Sequence, residues 1–525
     1  MKGEFPSLDD EIPGAEEADR SGAFAFSRPE IRRRSLAGIF YLTTSNVANL
    51  LIGFVASVAL ARLLTPDDFG VVAVGSTVTL LAGVLADGGL GAGMIRRPEA
   101  PTRQELRTIN GIQLAFTAAI CLPGVLIALP FGLTGAVTAV MILSLPIAVL
   151  QTPGRIVLLR EMRYDRQLAI DLGSQVGSQV FSVVAVVLGA GVWGLALGSV
   201  VRAALATLIT GVVSIGFDRP SLKGWRNYGG LIRFGLSFQA NWFAVVLREQ
   251  SLNIVVVAVA GVGTLGVWTF ANRIFQFPSL AFSSLYAVGF PAMSNLLMRG
   301  EDPAPVILRM VRRAAIPATF VFSTFAAMSP ELIPAVFGQQ WGDAVDIMPF
   351  ICLSTLILGS ISVAADSYLA AHGRPGIVAW GSGALGVAWI VITAPLLPIM
   401  GARAIGVGNL VGALVEAAIL DRATRQSAGV APYRPLVRPT AVAIVAGTAG
   451  WLVCTSGPHG LWVAVVAGAV TLGICLVGLW LSCREDLIDT VDLTLETVRS
   501  VVSKRKTGFA TRENAESEDA ERAVG

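Results

Sequence analysis

Three arginines lie inside long apolar stretches of the chain, where a charge is hard to accommodate: Arg202, Arg248 and Arg273. A guanidinium is a planar cation whose N–H donors match the oxygens of phosphate and carboxylate groups. It stays protonated at physiological pH, so its chemistry is binding rather than proton transfer. We therefore interpret these arginines as candidate contacts for an anionic ligand.

Amide side chains accompany the arginines and extend the candidate site. At 100° per residue, Asn241 and Arg248 stack two turns apart on one helical stripe, and Glu249 and Asn253 form a neighbouring stripe. So much polarity on one helix predicts that it lines a hydrated space. The candidate ligand-binding residues are Arg202, Arg248, Arg273, Asn46, Asn49, Asn241, Asn253 and Asn272.

Carboxylates also occur in the apolar stretches, and four are present: Asp87, Glu249, Asp366 and Glu416. Glu249 and Asp366 are candidates for coupling a proton or a sodium ion to the function. Glu249 and Arg273 fall at similar distances from the turn expected at 260–263, so they could instead pair with each other. Ligand binding and mutual charge neutralisation are therefore both open for Arg273.

The composition requires that these charges lie in a membrane. Of the 525 residues, 54% are hydrophobic and only 14% are charged, with a mean hydropathy of +0.68. A soluble protein has about 25% charged residues. A soluble enzyme, a secreted disulfide scaffold and a disordered chain are excluded. A charge at the centre of a membrane helix costs about 2.5–3.5 kcal/mol, so such residues indicate function or pairing.

Apolar runs long enough to cross a hydrocarbon core of about 30 Å predict an all-α membrane protein with fourteen spans. The predicted spans are 37–63, 68–93, 109–131, 134–156, 172–190, 192–215, 232–260, 264–294, 313–329, 345–371, 376–398, 403–421, 437–455 and 461–483. Basic residues cluster in the even-numbered connections, whereas the odd ones hold only Arg62 and Arg403. The positive-inside rule therefore predicts that both termini are cytoplasmic. At the second span, Thr65 is predicted to cap a helix that begins at Pro66.

The regions outside the spans suggest no catalytic or cofactor site. Residues 1–34 are polar and lack a signal-peptide core, so we expect a disordered cytoplasmic tail followed by an uncleaved signal anchor. Residues 484–502 have the spacing of an amphipathic helix, and 503–525 are a second predicted disordered tail. The five cysteines form no paired motif and only two histidines are present. We expect no catalytic residue, no metal and no cofactor.

Four stretches together resemble one transporter family: 58-VALARLLTPDDFGVVAV-74, 87-DGGLGAGMIRR-97, 158-LLREMRYDRQLAIDL-172 and 268-WTFANRIFQFPSLAFSSLYAVGFPAMS-294. They are similar to the polysaccharide-transporter branch of the multidrug/oligosaccharidyl-lipid/polysaccharide flippase superfamily, and the resemblance covers roughly 35–483. It implies two six-helix lobes around a central cavity, 35–215 and 232–421, joined by 216–231, plus two C-terminal helices at 437–483.

The resemblance also implies a function. The family flips undecaprenyl-diphosphate-linked sugar repeat units from the inner to the outer leaflet of the bacterial plasma membrane, without a cofactor. The expected partners are that lipid-linked oligosaccharide, membrane lipid and other polysaccharide-assembly proteins. We expect a monomer that binds no nucleic acid.

Three other functions remain open from the sequence alone. A cation-coupled multidrug exporter of the same superfamily would favour acidic groups in its cavity, whereas arginines outnumber carboxylates at mid-depth here. A membrane polymerase or ligase of lipid-linked glycans would need catalytic carboxylates or histidines on the outer side. The outer acidic residues, such as Asp67 and Asp68, are instead typical of helix caps. A binding scaffold is the third alternative, and the buried charges argue against it.

Overall fold

The computed structural model describes residues 28–97, 99–214, 216, 218–456 and 460–489. Within these ranges the chain is helical and contains no strand, which confirms the predicted all-α class. Two compact units are present, residues 1–274 and 275–525, and the division falls inside one long helix. The predicted lobes 35–215 and 232–421 stay a prediction.

The first unit is built from helices of residues 28–274. They are α1 (Arg28–Leu63), α2 (Pro66–Asp87), α3 (Leu90–Arg96), α4 (Arg103–Ala128), α5 (Gly132–Ile142), α6 (Ser144–Val149), α7 (Thr152–Arg160), α8 (Tyr164–Ala185), α9 (Val192–Val213) and the first part of α10 (Gly229–Met298). Helix α8 packs against α1 and α9, and α2 packs against α4 and α5. Short irregular helical turns lie at Leu129–Phe131, Val186–Ala190 and Trp225–Tyr228.

The N-terminal helix begins earlier than the sequence predicts. Helix α1 starts at Arg28, inside the stretch expected to be a disordered tail. Glu30 and Arg34 are one turn apart and form an ion pair of 2.7 Å. Arg34 also donates to the carbonyl oxygen of Glu161 at 2.8 Å, which ties the helix to the loop before α8. Hydropathy cannot detect this extension because the added residues are polar.

The second unit contains the rest of α10 and seven further helices. They are α11 (Ala304–Phe337), α12 (Gly342–Val345), α13 (Met348–Ala371), α14 (Pro375–Met400), α15 (Arg403–Ala428), α16 (Val437–Ser456) and α17 (Leu461–Asp489). A short turn at Gln339–Trp341 precedes α12, and another at Arg434–Leu436 precedes α16. Helix α15 packs against α13 and α14, and α11 packs against α13 and α16.

The predicted amphipathic helix at 484–502 is only partly described. Helix α17 continues through residues 484–489 without a break after the last span, and the remainder lies outside the described residues. Leu487 is buried together with Ile316 of α11 and Leu479 of α17. This first part therefore packs on the protein itself.

Twelve helical segments among the described residues are long and apolar enough to cross a membrane. Two of them are about twice the required length, namely Arg103–Val149 with 47 residues and Trp225–Gln276 with 52. Both double back. Cys121 Sγ lies 3.8 Å from the carbonyl oxygen of Ile142, although 21 residues of straight helix would separate them by about 30 Å.

The second long segment reverses at Gly261, whose φ of 81° and ψ of −179° lie outside the helical region. Trp268 Nε1 then lies 3.2 Å from Asn253 Oδ1, across 15 residues. Glycine adopts such a positive φ without a steric penalty. These two hairpins favour fourteen crossings over twelve, and the crossing count itself stays a prediction.

Helices α2 and α10 form a close antiparallel seam, which holds α10 in place within the first unit. At the start of α2, a Cβ on Gly70 would collide with the carbonyl oxygen of Val262. At the end of α2, a Cβ on Gly89 would collide with the backbone of Gly235. Backbone therefore meets backbone at both ends of the seam, a contact that only glycine permits.

Candidate functional site

Asn253, which the sequence suggests as a ligand contact, lies in a closed hydrogen-bond network at the middle of the α2–α10 seam. Its Nδ2 donates to Thr77 Oγ1 at 3.2 Å and to Gln250 Oε1 at 2.8 Å. Thr77 Oγ1 donates to Gln250 Oε1 at 3.0 Å, and Trp268 Nε1 donates to Asn253 Oδ1. Both amide hydrogens are used within the protein. Asn253 therefore positions α10 against α2 and has no hydrogen left for a ligand.

Arg273 is partly buried on the second arm of α10. A Cβ added to Gly53 of α1 would lie 3.9 Å from Arg273 Nη2 and 4.0 Å from Gln175 Nε2 of α8. Gly53 therefore lies beside two nitrogen donors from different helices. Gln175 is itself 7% exposed.

Arg273 has no ion pair among the described residues, and neither do Arg202, Arg248 and Glu249. The alternative in which Glu249 neutralises Arg273 therefore lacks the contact it requires. A partly buried cation without a carboxylate partner favours an external anion.

Arg202 of α9 is exposed and makes no direct bond to a carboxylate in the described part of the chain. Asp171 and Arg155 act on it electrostatically. The Asp171 carboxylate is already bonded to Arg155, at 2.7 Å from its Nη2. The three side chains together keep a net positive charge.

Arg248 and Glu249 are both exposed on the first arm of α10. The side chain of Asn241, predicted to share a stripe with Arg248, lies outside the described residues. The structure therefore leaves Arg248 available to a ligand without showing which neighbours would join it.

The remaining predicted asparagines have different surroundings. Asn46 is exposed, whereas Asn49 donates to Ser45 Oγ at 3.3 Å and keeps a buried Oδ1 for which the described residues supply no partner. Asn49 lies one turn before Gly53 on α1. Asn272 is partly buried next to Arg273.

The predicted coupling residue Asp366 lies in the second unit, on α13. Its Oδ1 is buried and has no hydrogen-bond partner in the described ranges. Glu416 of α15 acts on it electrostatically, and Ser382 of α14 donates to Glu416 Oε1 at 2.8 Å. Two carboxylates on adjacent helices are therefore brought together, a juxtaposition that the sequence alone does not reveal.

Sequence reasoning missed Thr77, Gln250, Trp268 and Gln175. Thr77 and Gln250 are 173 residues apart in the chain, so no local pattern connects them. Gln175 carries a signal that could have found it, because it is a polar residue inside an apolar span. Within the first unit, the structure thus brings together Arg273, Gln175 and Gly53, with Asn49 one turn before Gly53 on α1.

The chain matches one family profile and several curated proteins. Residues 59–346 match the family described as "Polysaccharide biosynthesis protein". The succinoglycan biosynthesis transport protein ExoT of Rhizobium meliloti is 25% identical over 378 residues, covering 70% of this chain and 72% of that protein. The lipopolysaccharide biosynthesis protein WzxC of Escherichia coli is 23% identical over 359 residues, covering 66% and 71%.

Solved structures share the fold at low sequence identity. The lipid II flippase MurJ in its inward closed conformation is 11% identical with a TM-score of 0.62, covering 86% of this chain and all of that one. An inward-facing multidrug resistance transporter of the MATE family is 14% identical with a TM-score of 0.53, covering 72% and 94%. These likenesses establish the fold alone.

Proposed function

The chain belongs to the polysaccharide biosynthesis protein family, and we propose that it flips undecaprenyl-diphosphate-linked oligosaccharide repeat units across the bacterial plasma membrane. The expected resemblance to the polysaccharide-transporter branch is confirmed by the family match and by relatives named for succinoglycan, lipopolysaccharide and teichuronic acid biosynthesis. The expected multi-pass inner-membrane protein is likewise confirmed.

One observation carries the choice of an anionic cargo: Arg273 is partly buried and has no ion pair in the described part of the chain. A diphosphate cannot enter hydrocarbon without a replacement for its hydration. The donors of Arg273 and Gln175 both lie beside Gly53 and would supply part of that replacement. Arg202 and Arg248 are the further proposed cationic contacts.

We propose alternating access as the transport mechanism, with the lobes 35–215 and 232–421 rocking around a central cationic cavity. The sugar-diphosphate head would pass through the cavity while the isoprenoid tail stays in the bilayer. Such a cycle needs a driving force, because a cavity that binds the head equally in both states shifts no equilibrium.

Glu249 and Asp366 are the proposed sites of proton or sodium coupling. Membrane lipid and polysaccharide-assembly proteins are the proposed neighbours of a monomeric transporter.

The proposal predicts that Arg273→Ala loses transport while the protein still inserts normally. A charge-assisted hydrogen bond contributes about 1.5–3 kcal/mol, so we expect the rate to fall about tenfold or more. The measurement is the amount of lipid-linked repeat unit reaching the outer leaflet in cells that lack their own flippase. Arg273→Lys should keep part of the activity.

Arg374→Ala is the matched control, because Arg374 is an exposed arginine in the loop between α13 and α14. It should transport at the wild-type rate. Equal transport by Arg273→Ala and wild type would remove Arg273 from the site. A wild-type chain that confers resistance to cationic drugs, and leaves the repeat unit in the inner leaflet, would establish the multidrug exporter instead.

A further inference from the structure

A basic pocket lies at one end of the second unit, far along the chain from Arg273. It has a volume of about 600 Å³ and is lined by the ends of α11, α15, α16 and α17. Four arginines from different elements line it: Arg312, Arg425, Arg434 and Arg438. Two carboxylates, Glu485 and Asp486, also line it. The lining therefore carries a net charge of +2.

Three of these arginines are held in place by contacts that use only some of their donors. Arg312 Nη1 lies 3.0 Å from Asp486 Oδ1. Arg425 Nε lies 2.7 Å from Asp421 Oδ2, and its guanidinium stacks 4.7 Å from the ring centre of Tyr433. Arg438 Nη1 donates to the carbonyl oxygen of Ser482 at 2.9 Å. Since a guanidinium has five N–H donors, each keeps several for a ligand in a fixed geometry.

Arg434 differs because its side chain has no hydrogen-bond or ion-pair partner in the described ranges. It lies in the short turn before α16 and is exposed. A cation that belongs to no internal pair, beside three that are already positioned, is an arrangement suited to a phosphate group.

Exposed apolar side chains that neighbour the pocket-forming residues in the chain indicate where such a phosphate would come from. Val437, next to Arg438, is 55% exposed, and Leu481, next to Ser482, is 80% exposed. Both lie on candidate membrane-spanning helices, where an exposed apolar side chain is suited to contact with acyl chains. Basic pockets between the ends of such helices on the cytoplasmic side bind anionic lipid headgroups.

We propose that this pocket binds the phosphate headgroup of an anionic phospholipid of the inner leaflet, with the acyl chains lying along Val437 and Leu481. The leaflet rests on the proposed cytoplasmic orientation of this end. The binding itself does not depend on the flippase function.

Phosphatidylglycerol binding to the purified full-length protein tests the proposal. Native mass spectrometry in mixed micelles would measure the lipid bound as phosphatidylglycerol or phosphatidylcholine is titrated. The wild type should retain phosphatidylglycerol in preference to phosphatidylcholine. Each arginine near a membrane surface is worth about fivefold in affinity, so Arg434→Gln should weaken binding about fivefold and Arg434→Gln with Arg438→Gln about 25-fold.

Arg374→Gln is the matched control, since it removes the same charge from an exposed loop of the same unit outside the pocket. It should bind phosphatidylglycerol like the wild type. Arg434→Gln breaks no described internal contact, so its result is interpretable even if the double variant folds poorly. The proposal is overturned if Arg434→Gln binds as tightly as wild type, or if Arg374→Gln loses as much affinity. Full displacement of the lipid by millimolar inorganic phosphate would assign the pocket to a free anion instead.

Discussion

At the scale of single residues, Gly53 is the most sensitive point of the candidate site. A Cβ there would make ordinary contact with Arg273 and Gln175, at 3.9 and 4.0 Å. A larger side chain would press against both donors. The proposed anion would then lose its contact with Arg273.

Gly53→Val should therefore block transport, whereas Gly53→Ala should reduce it only modestly. The readout is the appearance of lipid-linked repeat units in the outer leaflet, with the amount of inserted protein measured in parallel. Gly473→Val on α17 is the control, because nothing lies within 4 Å of a Cβ at Gly473. Normal transport by Gly53→Val would place the cargo elsewhere.

Which residues could be identified from the sequence depends on what surrounds them. Arg273 was found because a charge in an apolar run is visible in the sequence, and the structure gives it no ion pair among the described residues. Asn253 was equally visible, yet its amide is used by Thr77, Gln250 and Trp268. A helical wheel places Asn253 on a face and cannot supply a partner from a distant span.

At the scale of elements, the hydrogen-bond network of Asn253 should hold the α2–α10 seam together. Asn253→Leu removes three hydrogen bonds and leaves Trp268 and Thr77 without those partners. The bonds to Thr77 and Trp268 join different helical segments, and such bonds between membrane helices contribute about 0.6 kcal/mol each, so we expect a loss of about 1 kcal/mol. The change should appear as a lower midpoint of thermal unfolding in detergent.

Asn272→Leu makes the same exchange at a partly buried asparagine whose side chain has no described hydrogen bond. It should unfold close to the wild-type midpoint. Equal midpoints for the two variants would show that the network adds nothing to stability.

The ends of elements were predictable where local chemistry sets them. Thr65 caps α2 as expected: its Oγ1 accepts from the amide of Asp68 at 3.3 Å, and the Asp68 carboxylate accepts from the amide of Thr65 at 3.0 Å. The start of α1 at Arg28 was not predicted, because a polar helix outside the membrane leaves no hydropathy signal.

At the scale of the whole molecule, the fourteen-span prediction places the connection between spans 109–131 and 134–156 outside the membrane. Phe131, at the edge of that connection, is 68% exposed. In a cysteine-free background, Phe131→Cys should react with a membrane-impermeant maleimide added to intact cells. Trp225→Cys, in the predicted inner connection, should react only after the membrane is opened. An unreactive Phe131→Cys in intact cells would favour a single crossing of Arg103–Val149.

The alternation of basic residues supplies a topology prediction at this scale, because charge in the loops is recorded directly in the sequence. That topology stays a prediction. The contacts between spans were not predictable, since small apolar residues and glycines occur throughout the chain. Gly70 and Gly266 illustrate this limit: among 56 glycines, nothing local marks these two as the points where backbones touch.

The α2–α10 seam also determines when, during synthesis of the chain, its hydrogen-bond partners can meet. Thr77 is translated 173 residues before Gln250 and 176 before Asn253. At a synthesis rate of roughly 5–20 residues per second, Thr77 is made about 9–35 s before its partners, and the early helices are already inserted by then. The nascent first unit therefore has an unfilled groove beside α2 until the α10 hairpin has been synthesised. A chain that stalls in this interval would expose that groove to lipid and to the quality-control proteases of the membrane.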